Sequence, residues 1–128
     1  MTYTLTIGLE IHCKLLTDSK VFCRCRNEQD FDTLPANTHI CPVCMGLPWA
    51  LPVINQECIE KAGALWMLLW CTQQEFSHFD RKSYFYPDLP MGYQITQFNK
   101  PLNIKGKATY HALDYSEEYT VNIEQAHV

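Results

Sequence analysis

The sequence predicts an α+β fold: a mostly antiparallel β-sheet with one main helix packed on one face, a four-cysteine metal loop and a long ordered aromatic loop. Three observations predict it. The two ends of the chain alternate apolar and polar residues, which is strand patterning. One stretch near the middle carries apolar residues at helical spacing. Between the first strand and that helix, four cysteines come in two close pairs. The 128 residues suit one domain, and 47% apolar content is enough for a core.

The first element is TYTLTIGLEIHCKLL. Tyr3, Leu5, Ile7, Leu9 and Ile11 occupy alternate positions, and Thr4, Thr6, Gly8, Glu10 and His12 occupy the others. Successive strand side chains point to opposite faces. The apolar set is therefore expected to pack inward, with Glu10 and His12 projecting together from the other side. Gly8 beside them leaves room. A carboxylate next to an imidazole reads either as a solvated ion pair or as part of a ligand set.

Next, Cys23-Arg24-Cys25, fifteen residues, and Cys41-Pro42-Val43-Cys44 form C-x-C-x15-C-x2-C. This spacing can place four thiolates around Zn²⁺, and a closed four-cysteine site is structural because no coordination position stays open. The intervening RNEQDFDTLPANTHI is polar and is expected to have little structure of its own, so a metal clip accounts for how it is held. Free core thiols or a redox pair are the plainer readings. Cys13, Cys58 and Cys71 fall outside the pattern and read as packing residues.

PWALPV (48–53) reads as an extended connector with two prolines. Asn55 offers an N-cap for a helix from about Gln56 to Cys71 or Thr72, with Ile59, Ala62, Leu65, Trp66, Leu69 and Trp70 as its buried stripe. FDRKSYFYPDLPMGYQITQFNKP (79–101) follows. Its three prolines exclude a long helix or a central strand running through them. It is expected to be an ordered irregular loop made rigid by aromatic packing. Such loops often carry ligands, and a purely structural aromatic loop is the alternative. Residues 103–128 alternate again as a hairpin, with Asp114 to Glu118 as the turn and Tyr119, Val121 and Ile123 on one face. The pattern runs unbroken to Val128, which reads as part of something longer.

Net charge is −4 and the isoelectric point about 5.6, which argues against gripping nucleic acid by bulk electrostatics. The charge is uneven, with residues 79–107 at +3 and residues 108–128 at −4. The N-terminus has no secretory h-region, and AGALWMLLWC (62–71) is too short to span a bilayer. Seven cysteines without a secretory signal point to a reducing compartment, cytoplasmic or organellar matrix. No Walker loop, dinucleotide fingerprint or nucleophile elbow is present.

IGLEIH at 7–12, the C-x-C/CPVCMGLP cysteine set and FDRKSYFYPDLPMGYQITQ at 79–97 together resemble the GatB/GatE family of tRNA-dependent amidotransferase subunits. They come in that family's order and spacing, and the resemblance covers the whole chain as the N-terminal part of the catalytic (kinase/transamidase) domain, with no second domain. It implies a glutamine-hydrolysing carbon–nitrogen ligase that works in a heterotrimer with an amidase-type glutaminase and a small wrapping subunit. Its substrate is mischarged Glu-tRNA(Gln) or Asp-tRNA(Asn), and its cofactors are ATP, Mg²⁺ or Mn²⁺, and structural Zn²⁺. The resemblance also implies that Glu10 and His12 are catalytic, as ligands of the divalent metal, and that Cys23, Cys25, Cys41 and Cys44 hold the zinc. It matches Arg81, Lys82, Tyr84, Tyr86, Asp88, Tyr93 and Gln94 to the family's loop for ATP and substrate. Further acidic metal ligands follow the position of His127 in the family, past Val128. The 128-residue chain alone is therefore expected to be inactive. The competing reading is a non-catalytic module, either a zinc-ribbon-like RNA binder using the aromatic, basic 79–107 region or a scaffold docking a partner through Trp66 and Trp70.

Overall fold

A computed structural model describes residues 2–28 and 33–128. It is α+β, with one helix and two antiparallel sheets among the described residues. In chain order the elements are α1 (Gln56–Leu68), β1 (Thr72–Gln73), β2 (Asp80–Ser83), β3 (Tyr93–Thr96), β4 (Asn103–His111) and β5 (Glu118–Ala126). The larger sheet has the order β1-β4-β5, and β2 pairs with β3 in the smaller one.

The helix starts where its cap predicts. The Asn55 side chain accepts a hydrogen bond from the Glu57 N–H at 3.0 Å, satisfying a donor that has no partner inside the helix. The helix ends earlier than its apolar pattern suggests, because Trp70 adopts φ +54. The Trp70 N–H reaches the Met67 carbonyl and the Cys71 N–H reaches the Trp66 carbonyl. This is a Schellman ending with tryptophan at the position glycine usually takes. The turn removes Trp70 from the expected buried stripe and leaves it 73% exposed. Cys58 and Ala62 are the buried helix positions, while Ile59, Leu65, Trp66 and Leu69 are not fully buried.

The helix packs against β1 and β4. The junction is close: a Cβ added to Gly106 would collide with Cys71 Sγ, and the Lys107 N–H donates to the Leu69 carbonyl at 2.8 Å. β4 and β5 form the expected C-terminal hairpin. Gly106 faces Ile123, Ala108 faces Val121, and Tyr110 stacks on Tyr119 with ring centroids 5.4 Å apart. The Asp114 carboxylate accepts from the Ser116 N–H and hydroxyl, which shapes the turn.

Two expectations are corrected. Residues 79–101 do not form one irregular loop, because Asp80–Ser83 and Tyr93–Thr96 pair as an antiparallel hairpin. Pro87, Pro90 and Pro101 all lie outside its strands, so the missing proline N–H groups cost the ladder nothing. The tip is closed by backbone bonds, Tyr84 N–H to Gly92 O, Leu89 N–H to Tyr86 O and Gly92 N–H to Leu89 O, with Tyr84 and Tyr86 in edge contact beside them. Phe85 at that tip is 90% exposed.

The second correction concerns the N-terminal segment. Residues 3–14 belong to no sheet, and the apolar set Tyr3, Leu5, Ile7, Leu9 and Ile11 is 73–92% exposed instead of packed inward. A strand needs a neighbour for its backbone groups, and no described segment runs beside it. Exposure is general: the chain presents 10738 Å² to solvent, against about 7,000 Å² for a compact monomer of its mass.

Candidate functional site

The four paired cysteines converge. Cys44 Sγ lies 3.6 Å from Cys23, 3.8 Å from Cys41 and 4.0 Å from Cys25, and all four sulfurs fall within 4.8 Å of one another. Disulfide sulfurs sit about 2.05 Å apart, so these are free thiols. A regular ZnS₄ tetrahedron with bonds of about 2.3 Å has sulfur–sulfur edges near 3.8 Å. The three separations from Cys44, 3.6 to 4.0 Å, lie close to that edge. The donor set and its geometry therefore fit Zn²⁺.

Local hydrogen bonds build each arm of the cluster. Ser19 and Arg26 form an antiparallel bridge, and the Lys20 N–H donates to the Cys25 carbonyl at 2.9 Å, folding residues 18–27 back on themselves. On the second arm the Met45, Gly46 and Leu47 N–H groups donate to the Cys41, Val43 and Pro42 carbonyls. The thiols differ in acidity. The Cys44 backbone N–H is the largest influence on Cys41 and helps bring it down to about 7. Loss of solvent, with the neighbouring thiols, pushes Cys25 up to about 12 and also raises Cys23. Of the polar loop between the arms, residues 29–32 lie outside the described residues.

The cluster is braced on two sides. The Val53 and Asn55 N–H groups donate to the Phe22 and Val21 carbonyls, and the Asn55 amide reaches Ser19, so the helix cap also ties down the first arm. On the other side Phe22 packs edge-on against Phe79 at 5.2 Å. Gly46, at φ +62, lies so close to Met91 that an added Cβ would come within 2.9 Å of Met91 Cγ. The cysteine knuckle therefore abuts the tip and the base of the β2–β3 hairpin. Nothing in the sequence pattern signals this contact.

That hairpin carries most of the other candidate residues. Arg81 faces Ile95, Lys82 faces Gln94 and Ser83 faces Tyr93. The Arg81 guanidinium lies 5.4 Å from the Tyr93 ring centre, and the Lys82 ammonium 5.9 Å from that of Tyr84. Tyr84 and Tyr86 meet at 6.3 Å. Arg81, Lys82, Tyr84, Tyr86, Asp88 and Gln94 are exposed, with Tyr93 partly buried. Asp80 at the hairpin base accepts hydrogen bonds from the Asn99 backbone N–H and side-chain amide and lies 3.2 Å from His78. The Asn99 N–H leads these contacts in holding the Asp80 carboxyl below its usual value of 3.8.

Glu10 and His12 lie elsewhere, in the segment outside both sheets. Glu10 Oε1 and His12 Nε2 are 3.3 Å apart, and both side chains are 83% exposed. Two donors bound about 2.1 Å from one octahedral cation stand about 3.0 Å apart at adjacent corners. The observed spacing accommodates a divalent cation. A Cβ on Gly8 would meet nothing within 4 Å, so the space beside the pair is open.

An antiparallel α+β chain with a closed four-thiol centre and an aromatic hairpin defines a domain class, and its family follows from comparison. The chain belongs to the GatB/GatE catalytic domain family, which matches residues 5–128. It is 47% identical over 126 residues to the B subunit of aspartyl/glutamyl-tRNA(Asn/Gln) amidotransferase from Treponema pallidum (strain Nichols), covering 98% of this chain and 24% of that protein. To the protein of the same name from Thermomicrobium roseum it is 44% identical over 128 residues, covering 100% of this chain and 26% of the relative. The one from Prosthecochloris aestuarii is 51% identical over 106 residues, 83% of this chain and 21% of its own length. The chain thus spans about a quarter of the length of these curated relatives. No helix among the described residues is long and apolar enough to cross a membrane.

Proposed function

We propose that this chain is the N-terminal part of the catalytic domain of an ATP-dependent, glutamine-hydrolysing tRNA amidotransferase subunit. Family membership over residues 5–128 is the observation that carries the reading. The substrate is Glu-tRNA(Gln), Asp-tRNA(Asn) or both, and the product is the corresponding Gln-tRNA or Asn-tRNA. The chemistry needs activation because a carboxylate is anionic and has no leaving group. A side-chain carboxylate oxygen attacks the γ-phosphorus of ATP, forming an acyl phosphate and expelling ADP. Ammonia from a partner glutaminase then attacks the carbonyl carbon, the C–N bond forms and inorganic phosphate leaves. Positioning and charge neutralisation supply most of such catalysis.

Within that scheme Glu10 and His12 would hold Mg²⁺ or Mn²⁺, which would supply charge neutralisation for phosphoryl transfer. Arg81 and Lys82 face anionic phosphate oxygens. Tyr84, Tyr86, Asp88, Tyr93 and Gln94 orient nucleotide or the aminoacyl end from the same hairpin. Cys23, Cys25, Cys41 and Cys44 would hold a structural zinc that takes no part in the reaction, keeping the knuckle that braces this hairpin in place. An amidase-type glutaminase and a small wrapping subunit complete a cytoplasmic or organellar-matrix heterotrimer.

The test is glutamine- and ATP-dependent amidation of Glu-tRNA(Gln) by the full-length protein with its partners. Glu10→Ala and His12→Ala should each lower turnover by roughly a hundredfold or more, while thermal stability stays near wild type because both side chains are 83% exposed. Unchanged turnover in both variants removes the catalytic assignment. The exposed Phe85 and Tyr86 beside Arg81 and Lys82 favour one second reading, a stacking surface for single-stranded RNA. It predicts steeply salt-dependent RNA binding that Phe85→Ala weakens and Glu10→Ala leaves alone.

A further inference from the structure

We infer that Lys20 is a positioning residue of the cysteine metal centre, holding its ammonium on the Cys44 thiolate to offset the charge of a bound zinc. The inference rests on the zinc reading of the four cysteines. Lys20 Nζ lies 3.6 Å from Cys44 Sγ and 2.7 Å from the His39 carbonyl oxygen. An ammonium has three donors and no acceptor, so both contacts are donations from the lysine. The carbonyl anchor fixes where the charge sits, and both contacts are partly buried, where solvent screens them less.

Cys44 is the sulfur on which such a charge acts most widely, because its 3.6, 3.8 and 4.0 Å separations link it to all three other thiols. Four thiolates around Zn²⁺ carry a formal charge of about −2. A neighbouring cation and an N–H···S hydrogen bond both favour that state over the protonated, metal-free thiols. Arg26 is turned to Glu28, 3.1 Å away, and Arg24 is exposed. Lys20 also joins the two arms of the cluster: its backbone N–H closes the arm bearing Cys23 and Cys25, while its side chain crosses to the arm bearing Cys41 and Cys44. A lysine three residues ahead of a C-x-C pair carries no metal-ligand signature, so the spacing rules pass over it.

The experiment compares zinc content, zinc release to a chromophoric chelator, and the charge-transfer spectrum of the Co²⁺-substituted protein. Wild type, Lys20→Met, Lys20→Gln and Lys20→Arg are measured in the intact protein. Wild type should hold about one zinc per chain. Lys20→Met and Lys20→Gln should lose roughly 10–100-fold in metal affinity, and the sulfur-to-cobalt band should move to lower energy as the thiolate loses its donor. Lys20→Arg, which keeps the cation, should stay near wild type. Lys20→Gln keeps a donor for the His39 carbonyl without the charge, so it separates charge from mere tethering if Lys20→Met fails to fold. Should wild type bind zinc and the Gln variant match it in affinity and spectrum, the role of Lys20 is overturned while the zinc reading stands. Should wild type bind none, both fall together.

Discussion

Replacing Gly46 by alanine tests whether the cysteine knuckle and the β2–β3 hairpin are one mechanical unit. Gly46 sits at φ +62, a conformation that costs a residue with a Cβ about 1–2 kcal/mol. Its new Cβ would also meet Met91 Cγ at 2.9 Å, Cβ at 3.0 Å and Cα at 3.1 Å. The Cγ can rotate away, but the Cα belongs to the backbone of the hairpin tip and moves only with it. Overpacking of this kind costs about 1–3 kcal/mol. The sum, about 2–5 kcal/mol, corresponds to a drop of roughly 8–20 °C in the unfolding midpoint for a chain of this length. Gly46→Asn keeps the Cβ but tolerates positive φ better, so it should lose less than alanine by up to about 1 kcal/mol. Met91→Ala removes the nearest atom, and the Gly46→Ala/Met91→Ala double variant should recover about 0.5–1.5 kcal/mol relative to additivity. Differential scanning calorimetry of wild type, the two single variants and the double variant closes the cycle. If the two single effects simply add, the knuckle does not press on the hairpin and the bracing role given to the zinc loses its physical basis.

Metal removal should follow the same route. Chelation is expected to speed hydrogen exchange roughly tenfold or more at the Tyr84 amide, which closes the hairpin tip on Gly92, while the β4–β5 amides change little; uniform acceleration in both sheets contradicts a local brace. Trp70→Gly should stabilise the chain by about 0.5–1 kcal/mol in thermal unfolding, since Trp70 holds φ +54 and little of its ring is buried. A clear loss of stability would show that the indole packs on something that matters. Asp80 has its folded pKa depressed, so its contribution is present above the unfolded value of 3.8 and is lost as pH falls through the lower folded value. Acid titration of wild type should therefore show a stability loss below pH 3.8 that Asp80→Asn flattens; identical acid profiles would mean that the Asn99 and His78 contacts do not favour the ionised form.

What the sequence discloses here is mostly local. The Asn55 cap, the cysteine pairs and the β4–β5 hairpin each rest on residues a few positions apart, or on one turn, and each is found as read. Two features depend on distant partners and were not legible. The β2–β3 hairpin hides within a segment whose prolines dominate the pattern, and its strands flank the Pro87–Pro90 tip at four residues each, too short for alternation to register. The contact of Gly46 with Met91 joins residues 45 positions apart in two unrelated motifs, and no periodicity encodes it. Trp70 is a third case: its spacing fits the buried stripe, yet the helix has already turned off at Leu69.

The N-terminal segment separates two kinds of information that a strand pattern normally carries together. Glu10 and His12 stand 3.3 Å apart although residues 3–14 belong to no sheet, so their mutual approach is a property of two residues at i and i+2 and needs no sheet. The direction in which the pair faces is another matter. It is fixed only when the apolar set at 3, 5, 7, 9 and 11 is covered, because a one-residue slip would exchange the two faces. Five apolar side chains left largely in water give that covering a large driving force, about 25 cal/mol for each Å² removed from solvent. The acid–imidazole pair is thus assembled locally but aimed by packing. If the proposed function holds, polar replacement of Ile7 and Leu9 should consequently impair amidation by the full-length protein with its partners, and normal turnover in an Ile7→Ser/Leu9→Ser variant would show that the apolar face does not orient the proposed site.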